Sequence, residues 1–254
     1  MFSGSDFLLR SLGEEFSVRG VAFKYLSPDA AERKTTDNQV LILKHAPFLA
    51  LYDKILTCPP SRNVMEIGVA EGGSLLYFAL AFPHLKFVGV DLRRENPAVL
   101  RHIDRLDLSE RVKIYYETSQ DDEDALCKII EDEFGTEPIG AILDDASHIY
   151  GPSRRTVEIT LPYLSRNGFY CLEDWGWAHE DGYGYNAFPD QPALSNLVFE
   201  LAALHRSTDG KIFNNMEIHP SVAILRRGDM SLPPRGFRIS DHLKMPQGKK
   251  FPVI

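Results

Sequence analysis

Apolar residues recur along this chain in two rhythms. In the first 60 residues the spacing predicts helices. Over "NQVLILKHAPFLALYDKIL" (38–56) the apolar positions fall three and four apart, and Pro59–Pro60 stops the run. From residue 63 onward, short and nearly continuous apolar runs alternate with amphipathic stretches. Strands are expected at 63–69, 86–92, 111–117, 139–145 and 168–174, with helices near 72–82, 95–106, 121–134 and 152–163 between and after them. Apolar strands separated by helices mean a parallel sheet covered on both faces.

The end of the chain breaks that pattern. After an aromatic and glycine-rich loop (175–190) and a helix near 193–206 come two apolar runs, 211–218 and 221–227, separated only by His219 and Pro220. Two residues cannot carry a helical crossover, so this pair is expected to be an antiparallel hairpin. The fold class read from the pattern is α/β: a Rossmann-like, doubly wound sheet of seven strands, mostly parallel, with a C-terminal antiparallel hairpin and helices on both faces. The expected division is a helical N-terminal extension (1–60), an α/β domain (61–228) and an irregular tail (229–254).

Composition narrows the partners. A length of 254 residues suits one large domain, and a net charge of −8 argues against nucleic acid, which needs a concentrated basic surface. Cys58, Cys127 and Cys171 form neither a disulfide framework nor a metal spacing, so a reducing compartment fits them. The N-terminus lacks the order of a signal peptide, and no apolar run approaches ~18 residues. The chain is therefore expected to be cytoplasmic, to avoid membranes and to act on a small molecule. Residues 1–60 are expected to close the substrate site or to form a contact in a homo-oligomer.

Candidate chemistry begins at "MEIGVAEGGS" (65–74), where a strand runs into a glycine-rich turn and a helix. Gly68 permits a tight turn against a ligand, Gly72 opens the helix, and Glu66 and Ser74 flank them. A dinucleotide loop would read G-x-G-x-x-G, and here Ala70 holds the middle position. Asp91, at the end of the second parallel strand, suits the two hydroxyls of an adenosine ribose. Ser119 and Gln120 follow the third strand, either beside an adenine edge or as loop solvation and helix capping.

In "AILDDASHIYGPSRR" (141–155) an apolar run climbs into Asp144 and Asp145, with His148 three residues on, and the next strand ends in Glu173–Asp174. Strand alternation sends Asp144 and Asp145 to opposite sides, Asp144 toward the cofactor. Several carboxylates at neighbouring strand ends repel one another unless a cation neutralises them, and oxygen ligands select a hard divalent ion such as Mg²⁺. Such an ion lowers the pKa of a substrate hydroxyl, and His148 is placed to act as general base. The opposing readings are a helix cap for Asp145 or Ser147 and a plain surface role for His148.

The glycine motif and the terminal hairpin resemble the class I S-adenosylmethionine-dependent methyltransferases over roughly residues 61–228. "LDDASH…LEDWGW" further resembles the metal-dependent macrolide sugar O-methyltransferases (mycinamicin and macrocin type) and the cephalosporin-hydroxylase-like family. That resemblance implies Asp145, Glu173 and Asp174 as metal ligands, with Asp145 also catalytic and His148 as the base. Ala146 replaces the glycine of the family block, and "TSQDD" departs from its Q-S-D element. Trp175, Trp177, His179, Tyr183 and Tyr185 lie in the aromatic loop, as a substrate wall or as core packing, with His179 a reserve base.

The reading is a Mg²⁺-dependent O-methyltransferase acting on a hydroxyl of a small natural-product or sugar-bearing molecule in antibiotic-type biosynthesis. Its rivals are a metal-independent methyltransferase of a carboxylate or nitrogen, a non-catalytic cofactor-binding scaffold, and an NAD-dependent oxidoreductase, which Ala70 and the hairpin disfavour.

Overall fold

The computed structural model describes residues 15–25, 34–44, 46–179 and 190–244. Three short strands come first: β1 (Glu15–Val18), β2 (Val21–Tyr25) and β3 (Val40–Ile42). They form a separate small sheet in which β1 pairs antiparallel with β2, and β2 runs parallel to β3. Among the described residues of the stretch 1–60, which was expected to be helical, α1 (Ala46–Thr57) is the only helix and β1, β2 and β3 are strands. The physical reason is local. Arg19 and Gly20 both adopt positive φ, 48° and 81°, the twist that a two-residue hairpin turn requires. On β2, Val21 and Phe23 are buried while Ala22 and Lys24 are half-exposed, a period of two rather than 3.6.

The main sheet holds β4 (Asn63–Ile67), β5 (Lys86–Val90), β6 (Val112–Tyr115), β7 (Ile139–Asp144), β8 (Leu164–Glu173), β9 (Phe213–Ile218) and β10 (Val222–Arg227). Their spatial order is β6-β5-β4-β7-β8-β10-β9. The first five run parallel, and β10 pairs antiparallel with both β8 and β9, which is the hairpin the two-residue connection required. Strand order reverses at β4, so a crevice opens beyond the carboxyl ends of β4 and its neighbours.

Helices α2 (Gly73–Ala81), α3 (Pro97–Arg105), α4 (Glu123–Phe134), α5 (Tyr150–Thr160) and α6 (Ser195–Ser207) cover the two faces. Asn96 and Asp122 cap α3 and α4 through their side chains. Helix α2, "GSLLYFALA", is apolar all round because it is covered twice. One side meets the main sheet, and on the other Phe16 and Phe23 of the small sheet approach the Tyr77 ring at centroid distances of 6.1 and 6.0 Å. Gly73 is required there, since a Cβ would stand 2.1 Å from the Leu41 carbonyl oxygen. Among the described residues no helix is long and apolar enough to cross a membrane.

Candidate active site

The glycine turn leaves β4 through Gly68, whose φ is +89°. A Cβ at this position would lie 2.1 Å from the Asp145 carbonyl oxygen, so the turn after β4 and the turn after β7 share one narrow space. Asp91, at the end of β5, holds that turn in shape. Its Oδ2 accepts hydrogen bonds from the backbone N–H groups of Val69 (2.9 Å) and Ala70 (2.6 Å), and its Oδ1 accepts one from Arg93 (2.7 Å). The charged carboxylate thus pre-organises the loop as well as lining the cavity beside it.

That cavity, about 590 Å³, lies in the crevice at the switch point and is walled by Gly68, Ala70, Asp91, Ser119, Gln120, Asp145, His148, Asp174 and Trp177. Its size is ordinary for a site that takes a cofactor or drug-sized ligand. Gln120 joins two of its walls. Its side-chain amide donates to Thr156 Oγ1 (2.9 Å) and its carbonyl accepts from the Ser147 backbone N–H (2.9 Å). Ser119 also lines the cavity and donates to Asp121.

Four cofactor candidates lie outside these walls. Glu66 and Ser74 are buried beneath the turn, where the Ser74 hydroxyl donates to Glu66 Oε1 at 2.6 Å. Burial raises the Glu66 pKa to about 7. Asp144 points to the side opposite Asp145, as alternation predicts, but into the core, where it accepts a 2.6 Å hydrogen bond from Tyr170. Burial lifts its pKa to about 7 as well. Gly72 acts through its backbone, at φ 75° ahead of α2.

At the far wall, Asp145, His148 and Asp174 converge, each offering one ligand atom within 4.8 Å of the others. His148 Nε2 stands 3.7 Å from Asp145 Oδ1 and 3.8 Å from Asp174 Oδ2. His148 and Asp174 both sit in the left-handed backbone region, at φ 54° and 55°. Non-glycine residues take up that conformation at some cost, and such positions gather at functional sites. Burial holds the His148 pKa below its usual value, with the charge on Lys44 adding to the effect and that on Asp145 opposing it. The imidazole is therefore neutral near pH 7 and able to take a proton.

Glu173 does not join this group. It is buried, and its Oε1 accepts a 2.7 Å hydrogen bond from Lys44 Nζ. The same ammonium pairs with Asp145 Oδ2 and lies 3.5 Å from Glu66 Oε1. Burial disfavours the charged lysine, but Asp145, Glu173 and Glu66 outweigh it and keep the Lys44 pKa well above its ordinary value. Sequence reasoning missed Lys44 entirely. The available signal was a single charge within the apolar run "VLILKHAPFLA" (40–50). The acids at the rim are thus already partly neutralised by the chain itself.

Beside this cluster the Trp177 ring packs against His148, tilted by 53° with ring centroids 4.2 Å apart. The Trp175 indole donates to the His219 carbonyl at 2.9 Å, which ties the loop to the terminal hairpin. A smaller cavity of about 110 Å³ lies behind, bounded by His148, Asp174, Trp175, Trp177 and Leu194. His179 pairs with the Ser195 hydroxyl (3.0 Å) and lies outside both cavity walls. Tyr183 and Tyr185 lie outside the described residues.

Residues 65–175 match the family described as a methyltransferase domain. A curated relative, the mycinamicin VI 2''-O-methyltransferase of Micromonospora griseorubida, is 29% identical over 142 residues, 53% of this chain and 32% of its own length. Among solved structures, the methyltransferase MycE of the mycinamycin pathway, in complex with Mg and SAH, superposes with a TM-score of 0.53 at 25% identity. The match covers 70% of this chain and 48% of that one. The O-methyltransferase TomG of Streptomyces achromogenes shares the fold at 15% identity and a TM-score of 0.53, over 73% of this chain and 81% of its own. The chain thus spans about a third of the curated relative and about half of MycE.

Proposed function

We propose that this chain, which carries a class I S-adenosylmethionine-dependent methyltransferase domain over residues 65–175, transfers a methyl group from that cofactor to a hydroxyl of a small natural-product or sugar-bearing molecule. The observation that carries the reading is the meeting of Asp145, Asp174 and His148 at the wall of the cavity that Gly68 and Asp91 shape.

The chain's own residues divide the work. The glycine turn, braced by Asp91, cradles the cofactor, and Asp91 keeps one acceptor site, on Oδ1, for a ribose hydroxyl. Asp145 Oδ1 and Asp174 Oδ2 would hold a divalent cation. Two carboxylates with other positions left to water or substrate suit Mg²⁺, and MycE is described with that ion. Such an ion, when bound, supplies positive charge that eases loss of a proton from a hydroxyl beside it. Neutral His148 accepts that proton, and the tilted Trp177 ring holds the imidazole by packing against it.

Treatment with EDTA is expected to abolish methyl transfer and added Mg²⁺ to restore it. A second reading has a specific observation in its favour. Lys44 neutralises part of the acid cluster, so methyl transfer need not involve a metal at all. Full turnover in excess chelator would decide for that reading.

A further inference from the structure

We propose that Lys44 is a positioning residue, a fixed internal cation that keeps Glu173 out of the metal site and turns one oxygen of Asp145 toward the cavity. The inference rests on the reading above only for the presence of a divalent site.

The geometry of the three carboxylates carries the argument. Asp145 is split: Oδ2 pairs with Lys44, while Oδ1 faces His148 Nε2. Glu173 and Asp174 are consecutive, yet their environments differ. Asp174 lines both the large and the small cavity, whereas Glu173 lines neither and is 1% exposed. Its Oε1 is committed to Lys44 at 2.7 Å, and reaching the cavity would leave a buried ammonium short of a partner. Such a loss is costly, because a desolvated charge is tolerated only when it is paired.

The position of Lys44 is set from outside the main domain. The residue follows β3, whose Leu41 carbonyl presses on the Gly73 position, and the Leu41 N–H donates to Thr35 Oγ1. Thr35 in turn grips Glu71 of the glycine turn, its backbone N–H donating to Glu71 Oε2 (2.8 Å) and its hydroxyl to the Glu71 carbonyl (2.6 Å). The small N-terminal sheet therefore delivers a positive charge to a fixed point beneath the rim. Lys44, 5% exposed and absent from the cavity walls, cannot itself bind cofactor or substrate there.

Manganese binding to the full chain, read by electron paramagnetic resonance without cofactor or substrate, tests the assignment independently of methyl transfer. Glu173→Gln is expected to leave Mn²⁺ affinity within about two-fold of wild type, because Glu173 is not a ligand. Lys44→Met frees Glu173 and is expected to tighten binding about ten-fold, since affinity follows ligand charge, and Lys44→Met/Glu173→Gln to cancel that gain. A purely structural lysine would give no gain on removal. Loss of affinity by about ten-fold in Glu173→Gln, or no gain in Lys44→Met, overturns the assignment. If Lys44→Met does not fold, the Glu173→Gln arm decides alone. Absence of binding in wild type and all variants overturns the metal reading together with this one, whereas binding by wild type with no gain in Lys44→Met overturns only the role of Lys44.

Discussion

Asp91 does two jobs with one carboxylate, and its removal separates them. Three backbone N–H groups lose a charged acceptor in Asp91→Ala, and hydrogen bonds to charged groups contribute about 1.5–3 kcal/mol each. The glycine turn should loosen, and S-adenosylmethionine affinity, measured by calorimetry, is expected to fall by about ten-fold or more. Unchanged affinity would contradict the cofactor pose. His148 yields a second prediction: His148→Ala should lower kcat by about 10²–10⁴-fold with cofactor affinity nearly intact. Its pH dependence follows from burial. A base works only when deprotonated, that is, above its pKa. Because the His148 pKa is held below its ordinary value, the acidic limb of kcat/KM is expected below that value as well. A limb at or above pH ~6.5 would assign the proton to another group. At this scale the places of Asp91, Asp145 and Asp174 on the cavity wall were legible, because each directly follows or ends an apolar strand, and that of His148 because it lies in the turn after β7. Glu66 and Asp144 show the limit. Both acids lie in the right stretches, yet only packing reveals that one faces Ser74 and the other Tyr170.

Among the elements, the turn after β4 is the most constrained. Gly68 combines positive φ with a backbone carbonyl where its Cβ would be, so Gly68→Ala cannot be absorbed by a side-chain shift. A loss of about 2 kcal/mol or more is expected in urea denaturation, with weakened cofactor binding, and a near-neutral effect would mean that the turns after β4 and β7 lie further apart than described. The parallel strands and the terminal hairpin were readable, because period and connection length constrain them directly. β1, β2 and β3 were not. Each has only three to five residues, too short a run to separate period two from 3.6, and the apolar "VLIL" stretch merged with α1 into one apparent helix. The Arg19–Gly20 turn was the missed signal.

Across the whole molecule, the site gathers turns after β4, β5, β6, β7 and β8, with a sixth contribution from the small N-terminal sheet. The order of apolar runs and their connections was enough to read a doubly wound, mostly parallel sheet with a terminal hairpin, whereas the strand order and its reversal at β4, where the crevice opens, come from the folded sheet. Periodicity and chain stiffness are local properties, so they are written in consecutive residues. The charge balance of the rim is another matter. Negative charge crowding at adjacent strand ends pointed to a cation, but Lys44 lies 101 residues from Asp145 and 129 from Glu173, and no local pattern links them. Folding alone brings that ammonium beneath the acids, since burial of the small sheet against α2 fixes where the chain after β3 must run. Which carboxylates face the cavity and which are consumed inside the protein is therefore a property of the packed molecule, because electrostatic partners are chosen by distance in space.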